Sequence, residues 1–138
     1  MPKVTAAQFE KLVRAGVPLA DQLDPKAIRL EPGIAHLRIP FKPEFIRPGG
    51  TISGPILMAL ADLTMYAVVM TRIGPVEMAV TTHLGMSFMR RPLPGPLIAE
   101  GRLLKLGRRL AFGDILIFNE GDPEPVAQAS VTYAVPDS

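Results

Sequence analysis

The chain has 138 residues, 48% of them hydrophobic, with no cysteine and a formal net charge of +2. That length and apolar content fit a single domain, residues 1–138, whose core needs no metal or disulfide. The missing thiols exclude disulfides, thiolate metal sites and a cysteine nucleophile, and the small net charge points away from nucleic acid.

The first sixteen residues, "MPKVTAAQFEKLVRAG", have no apolar stretch of signal-peptide length, so a cytoplasmic location is expected. Within them Phe9, Leu12 and Val13 recur at helical spacing, which predicts one short amphipathic helix over 5–15, ended by Gly16, in an N-terminal arm of residues 1–25. "AIRLEPGIAHLRIPF" then alternates around Pro32-Gly33, as two strands of a hairpin do, and "KPEFIRPGG" reads as a loop.

"SGPILMALADLTMYAVVM", residues 53–70, is apolar almost throughout. Ser53 is placed to cap a helix, Gly54 admits close backbone approach, and Pro55 suits the first turn because it has no N–H to leave unpaired. The helix is expected to run from about 54 to just before Gly74-Pro75. Its apolar run is shorter than the ~20 residues of a membrane span, and Asp62 interrupts it, so no membrane insertion is expected. A carboxylate on such a helix needs a partner, a proton or a chemical task.

Beyond the helix the period drops to two. Val80, Thr82, Leu84, Met86 and Phe88 are expected on one strand face, with Thr81, His83, Gly85 and Ser87 on the other. Strands over 97–106, 110–118 and 126–134 follow, joined by connections too short for a helix. The expected fold is α+β, a curved antiparallel sheet wrapped around one long central helix. A helix apolar nearly all round must bury its remaining surface on another subunit.

These residues resemble the hotdog-fold acyl-CoA thioesterases, in particular the PaaI-like, phenylacetate-pathway branch. The likeness spans about residues 33–136 and rests on "GGTISGPILMALAD", "AVTTHLGMSFMRRPLPG", "LIAEGRLLKLGRRLAF" and "VAQASVTYAVP". It implies an acyl-CoA substrate, with CoA as its carrier and no separate cofactor, and a homodimer that assembles into a tetramer. By the resemblance, Asp62 is the nucleophile or general base, the Gly54 N–H polarises the thioester carbonyl, and Thr81 supplies a hydroxyl, often one from the facing subunit. Ser53, Pro55, Met58 and Tyr66 would contact the substrate, and Arg90, Arg91, Arg108 and Arg109 the CoA phosphates. Many relatives carry His-Gly-Gly where this chain has Ser53-Gly54-Pro55, and Asn where it has Arg47. A non-catalytic acyl-CoA sensor and a hotdog dehydratase or hydratase are the alternatives.

Six of the fifteen Lys and Arg residues fall between 90 and 109, against Glu100 as the lone acid, which suits a phosphate-bearing ligand or a solvated strand face. His36 and His83 have no carboxylate or second histidine at ligand spacing, so no metal site is expected.

Overall fold

Gly54 and Pro55 start the long helix as their chemistry dictates. In the computed structural model, which describes residues 1–136, this helix spans Gly54–Ile73 and stops at Gly74, whose φ of 93° a side chain would resist. The last two residues of the expected 1–138 unit lie outside the described residues. Ser53 corrects one expectation: its side chain makes no capping bond, and its carbonyl instead accepts from the N–H groups of Ile56 and Leu57.

Two helices precede it rather than the single one expected. α1 (Ala6–Gly16) begins with a reciprocal cap: Thr5 Oγ1 accepts from the Gln8 N–H and Gln8 Oε1 accepts from the Thr5 N–H. It buries Phe9 and Val13. α2 (Pro18–Leu23) has Pro18 in its first turn and buries Ala20 and Leu23. Six residues are too few for the periodicity that would betray a helix in sequence. The long helix is therefore α3.

The strands are β1 (Lys26–Glu31), β2 (Ile34–Ile39), the two-residue pair β3 (Ile46–Arg47) and β4 (Thr51–Ile52), then β5 (Val80–Phe88), β6 (Leu97–Leu106), β7 (Leu110–Asn119) and β8 (Ala127–Ala134). β3, inside the segment expected to be a loop, pairs with β4 just after that segment to form a small ribbon. The other six make one antiparallel sheet in the order β1-β2-β6-β7-β8-β5, so the strand leaving α3 crosses to the far edge, where among the described residues it pairs with β8 alone.

α3 lies across one face of this sheet, where Leu57, Leu60, Ala61 and the whole run 63–71 are buried. Two glycines set how closely it can lie. A Cβ on Gly101 of β6 would come within 2.9 Å of Thr64, Val68 and Ile115 side-chain atoms, and one on Gly113 of β7 would meet the Met65 sulfur at 2.3 Å. The expectation that α3 needs a second subunit along its length is thus narrowed. Residues 63–71 are covered within the chain, whereas Pro55, Ile56, Met58, Ala59 and Asp62 nearer its start, and Arg72 and Ile73 at its end, remain partly or fully accessible.

A bulge in β5 corrects the predicted alternation. Thr81 opposes Tyr133 and His83 opposes Thr132, leaving Thr82 as an extra residue. Thr81 therefore joins Leu84, Met86 and Phe88 on the side facing α3, while His83 stays on the outer face of the sheet.

Candidate active site

Asp62 projects from the accessible side of α3 into a cavity of about 290 Å³. Its apolar walls are Ala59 and Leu63 of α3, Ala79 and Val80, and Leu19, Ala20 and Leu23 of α2. The bulge delivers Thr81 to this cavity, and the Thr81 hydroxyl donates to Asp62 Oδ1 at 2.5 Å. Tyr133 of β8 approaches from below: its hydroxyl is 3.0 Å from Oδ1 and 3.0 Å from the Asp62 carbonyl oxygen. Among the described residues no hydrogen bond engages Oδ2. One carboxylate oxygen is thereby held by two hydroxyls while the other is left for a reactant.

Burial, and then the Asp62 charge beside it, hold the Tyr133 phenol far above its ordinary range, so it remains a donor at any physiological pH. Its ring stacks on Tyr66, with centroids 5.9 Å apart. The Tyr66 hydroxyl in turn lies 3.3 Å from the Val76 carbonyl and 3.2 Å from that of Glu77. Nothing in the local pattern marks Tyr133, 71 residues after Asp62, as part of this site. The signal available was the register: an inward position on the strand paired with β5.

Gly54 opens onto a different cavity, of about 410 Å³, with Arg47, Thr51, Leu57, Phe88, Arg90 and Arg91 on its walls. Eight residues of helix separate it from Asp62, or ~12 Å along the axis. A Cβ on Gly54 would lie 3.6 Å from the Phe88 ring. Arg108 and Arg109 line a third cavity, beside Ile73 and Leu106.

The basic cluster of residues 90–109 is accordingly not a cluster in space. Its ends are separated by the length of β6, ~30 Å for ten extended residues. Arg90 is turned toward Asp122 and Glu124, at 3.2 and 3.4 Å, and Arg102 lies 3.6 Å from Asp114. Met58 is 43% exposed and outside the lining of the Asp62 cavity, while Met65 is wholly buried against the sheet. Pro55 is exposed at the helix start.

Both histidines lie on the outer face of the sheet. His36 is 3.9 Å from Glu100, and burial lowers its pKa against the opposing pull of that carboxylate. Among the described residues, no three His, Asp or Glu side chains come together to hold a metal.

Residues 49–126, from the loop before α3 to the residue preceding β8, match the family model of the thioesterase superfamily. The chain belongs to the thioesterase superfamily. Over 107 residues it is 35% identical to a "putative esterase" of Saccharolobus solfataricus, covering 78% of this chain and 75% of that one. The crystal structure of a "putative thioesterase" from Silicibacter sp. TM1040 superposes with a TM-score of 0.88 at 38% identity, covering 99% of this chain and 94% of the other. A mutant form of the phenylacetic acid degradation protein PaaI of Thermus thermophilus aligns with a TM-score of 0.76 at 28% identity, covering 86% and 99%.

The superfamily's hotdog fold is thus present, and PaaI is among its structural neighbours, as the resemblance implied. In this thioesterase-superfamily chain the matched segment includes α3, Asp62, Gly54, Thr81 and Arg90 through Arg109, whereas α1, α2 and Tyr133 lie outside it. The walls of the Asp62 cavity therefore come from both the shared core and the N-terminal arm.

Proposed function

We propose that this protein hydrolyses an acyl-CoA thioester to the free acid and CoA, working as a homodimer that assembles further into a tetramer. The observation that carries the reading is the state of Asp62: Oδ1 held by Thr81 and Tyr133, and Oδ2 unengaged at an apolar cavity. In the general-base route, Oδ2 takes a proton from water as the water oxygen attacks the thioester carbon. The oxyanion is met by the Gly54 N–H, which has no acceptor among the described residues and lies at the positive end of the α3 dipole. Collapse breaks the C–S bond, and the sulfur leaves with the proton that Oδ2 took. In the alternative nucleophilic route, Oδ2 attacks the carbonyl, the C–S bond breaks as the CoA thiolate leaves, and water hydrolyses the resulting mixed anhydride to free acid and the Asp62 carboxylate.

Within one chain Gly54 and Asp62 are too far apart to serve one carbonyl, so the proposal requires two copies. Met58 and Ala59 each lie three or four residues from both Pro55 and Asp62, so the four form one stripe on α3. Met58 is midway between Gly54 and Asp62 in sequence. A twofold axis near Met58 would set two α3 helices antiparallel, with Gly54 of one copy beside Asp62 of the second. The unpaired edge of β5, where Val80 and Phe88 are each more than half exposed, supports the same assembly by strand pairing. Arg90 and Arg91, on the cavity beside Gly54, are assigned to the CoA phosphates, and Arg108 and Arg109, at the far end of β6, are assigned to them from a second copy.

A dehydratase is disfavoured because neither histidine faces the Asp62 cavity. The test is CoA release followed with a thiol reagent across short, long and aromatic acyl-CoAs, alongside sedimentation of wild type and Met58→Glu. Turnover by the wild-type dimer, with Met58→Glu monomeric and inactive, is the expected result. Binding without turnover would make the protein a sensor, and an active wild-type monomer would overturn the two-copy site.

A further inference from the structure

The Asp62 cavity has a neighbour. A mostly apolar, solvent-open groove of about 730 Å³ runs along the N-terminal arm, lined by Leu12 and Ala15 of α1 and by Pro75 and Met78 of the segment after α3, with Gln8 and Lys11 of α1 on its polar side. It shares Val17, Tyr66 and Glu77 with the Asp62 cavity. Of these three, Tyr66 is the buried one, 8% exposed, with the other two partly or fully accessible. Tyr66 sits one helical turn after Asp62 and lines both spaces, so its ring is the buried part of the boundary they share.

The ring is well fixed. One of its faces stacks on Tyr133, and its hydroxyl is directed to the carbonyls of Val76 and Glu77, which ties the segment after Gly74 down over α3. A side chain clamped at both ends is a wall rather than a flexible gap-filler. On its near side lies a chamber at the lower end of the volume range for small-ligand sites, whereas the two spaces joined would amount to about 1,000 Å³.

We propose that Tyr66 is a specificity-determining partition: it ends the acyl chamber beside Asp62, restricts the wild-type protein to short or compact acyl groups, and shuts off an apolar groove able to take a longer chain. The inference rests on the thioesterase reading for the identity of the substrate, while the partition itself is a property of the cavities.

The test compares kcat/KM for straight-chain acyl-CoAs from butanoyl to dodecanoyl in wild type, Tyr66→Leu, and Tyr66→Leu combined with Ala15→Trp. Ala15 is exposed and lines only the outer groove, so the tryptophan plugs that space without reaching Asp62. Tyr66→Leu is expected to raise the dodecanoyl-to-butanoyl ratio at least ~10-fold, the worth of about two buried methylenes, and the added Ala15→Trp to cancel the gain. Ala15→Trp alone should leave the wild-type ratio where it was. If Tyr66→Leu does not fold, Tyr66→Met, unbranched and adaptable, is measured in its place.

An unchanged ratio in a folded Tyr66 variant, or a gain that Ala15→Trp does not reverse, overturns the partition. Should no acyl-CoA be hydrolysed by wild type, the same series is run as equilibrium binding of acyl-CoA thioethers, which cannot be cleaved. A shift toward longer chains in Tyr66→Leu then supports the partition although hydrolysis has failed. Equal length preference in both proteins removes it.

Discussion

The Tyr133 hydroxyl on the last strand touches both the backbone carbonyl and the side-chain Oδ1 of Asp62, at 3.0 Å each, and so couples β8 to the one charge on the central helix's apolar run. Because burial and the Asp62 charge raise the phenol's pKa, the folded state keeps a proton that the unfolded chain loses near pH 10. The contribution is complete below that value and is lost as pH rises toward the folded-state pKa. Stability of wild type should therefore fall above about pH 10 with a slope of ~1.4 kcal/mol per pH unit from this group, and Tyr133→Phe should lack that component. Denaturant midpoints measured across the alkaline range check it, and parallel curves for the two proteins would contradict it.

Asp62→Asn keeps an acceptor for Thr81 and Tyr133 at Oδ1 but offers no basic or nucleophilic oxygen at the position of Oδ2. We expect kcat to fall at least ~100-fold, the lower range for loss of a general base, with folding stability within about 1 kcal/mol of wild type. Steady-state kinetics and thermal melts on the same preparation separate the outcomes. Normal turnover would remove Asp62 from the chemistry, and loss of folding would make it a structural acid.

The dispersed arginines make distinguishable predictions. Arg91 lines the Gly54 cavity and makes no ion pair among the described residues, whereas Arg90 is already engaged by Asp122 and Glu124. Arg91→Ala should raise KM for acyl-CoA more than Arg90→Ala, with kcat little changed in either. Arg108→Ala with Arg109→Ala should also raise KM, and all these effects should shrink as salt approaches ionic strengths that screen exposed phosphate contacts beyond ~8 Å. An unchanged KM in the double variant would return that hairpin to the role of a solvated tip.

Close approach of α3 to the sheet predicts a stability effect at a site remote from chemistry. Thr64 and Val68 are β-branched and stiff, so a methyl on Gly101 cannot be accommodated by a simple rotamer change. Gly101→Ala should cost about 1–3 kcal/mol, the usual range for overpacking, read from the shift in denaturant midpoint. A neutral result would mean that α3 can lift from β6 without loss.

Much of this protein is legible in its residues alone. The apolar run between Ser53-Gly54-Pro55 and Gly74-Pro75 marks α3 to the residue, and strict alternation marks β6, β7 and β8 within a residue or so, because these signals are local: periodicity, breakers and turn chemistry act within a few positions. Asp62 stands out for the same reason, as a charge where its neighbours allow none. What the tertiary structure alone decided is which distant groups meet that charge. α2 is too short to announce itself, yet it walls the cavity. The bulge at Thr82 turns Thr81 toward Asp62, against the plain alternation, because its pairing with β8 slips by one residue. Tyr133 reaches Asp62 only through sheet order, and residues 90–109, a patch in sequence, are drawn ~30 Å apart because an extended strand separates neighbours in sequence as surely as folding unites strangers.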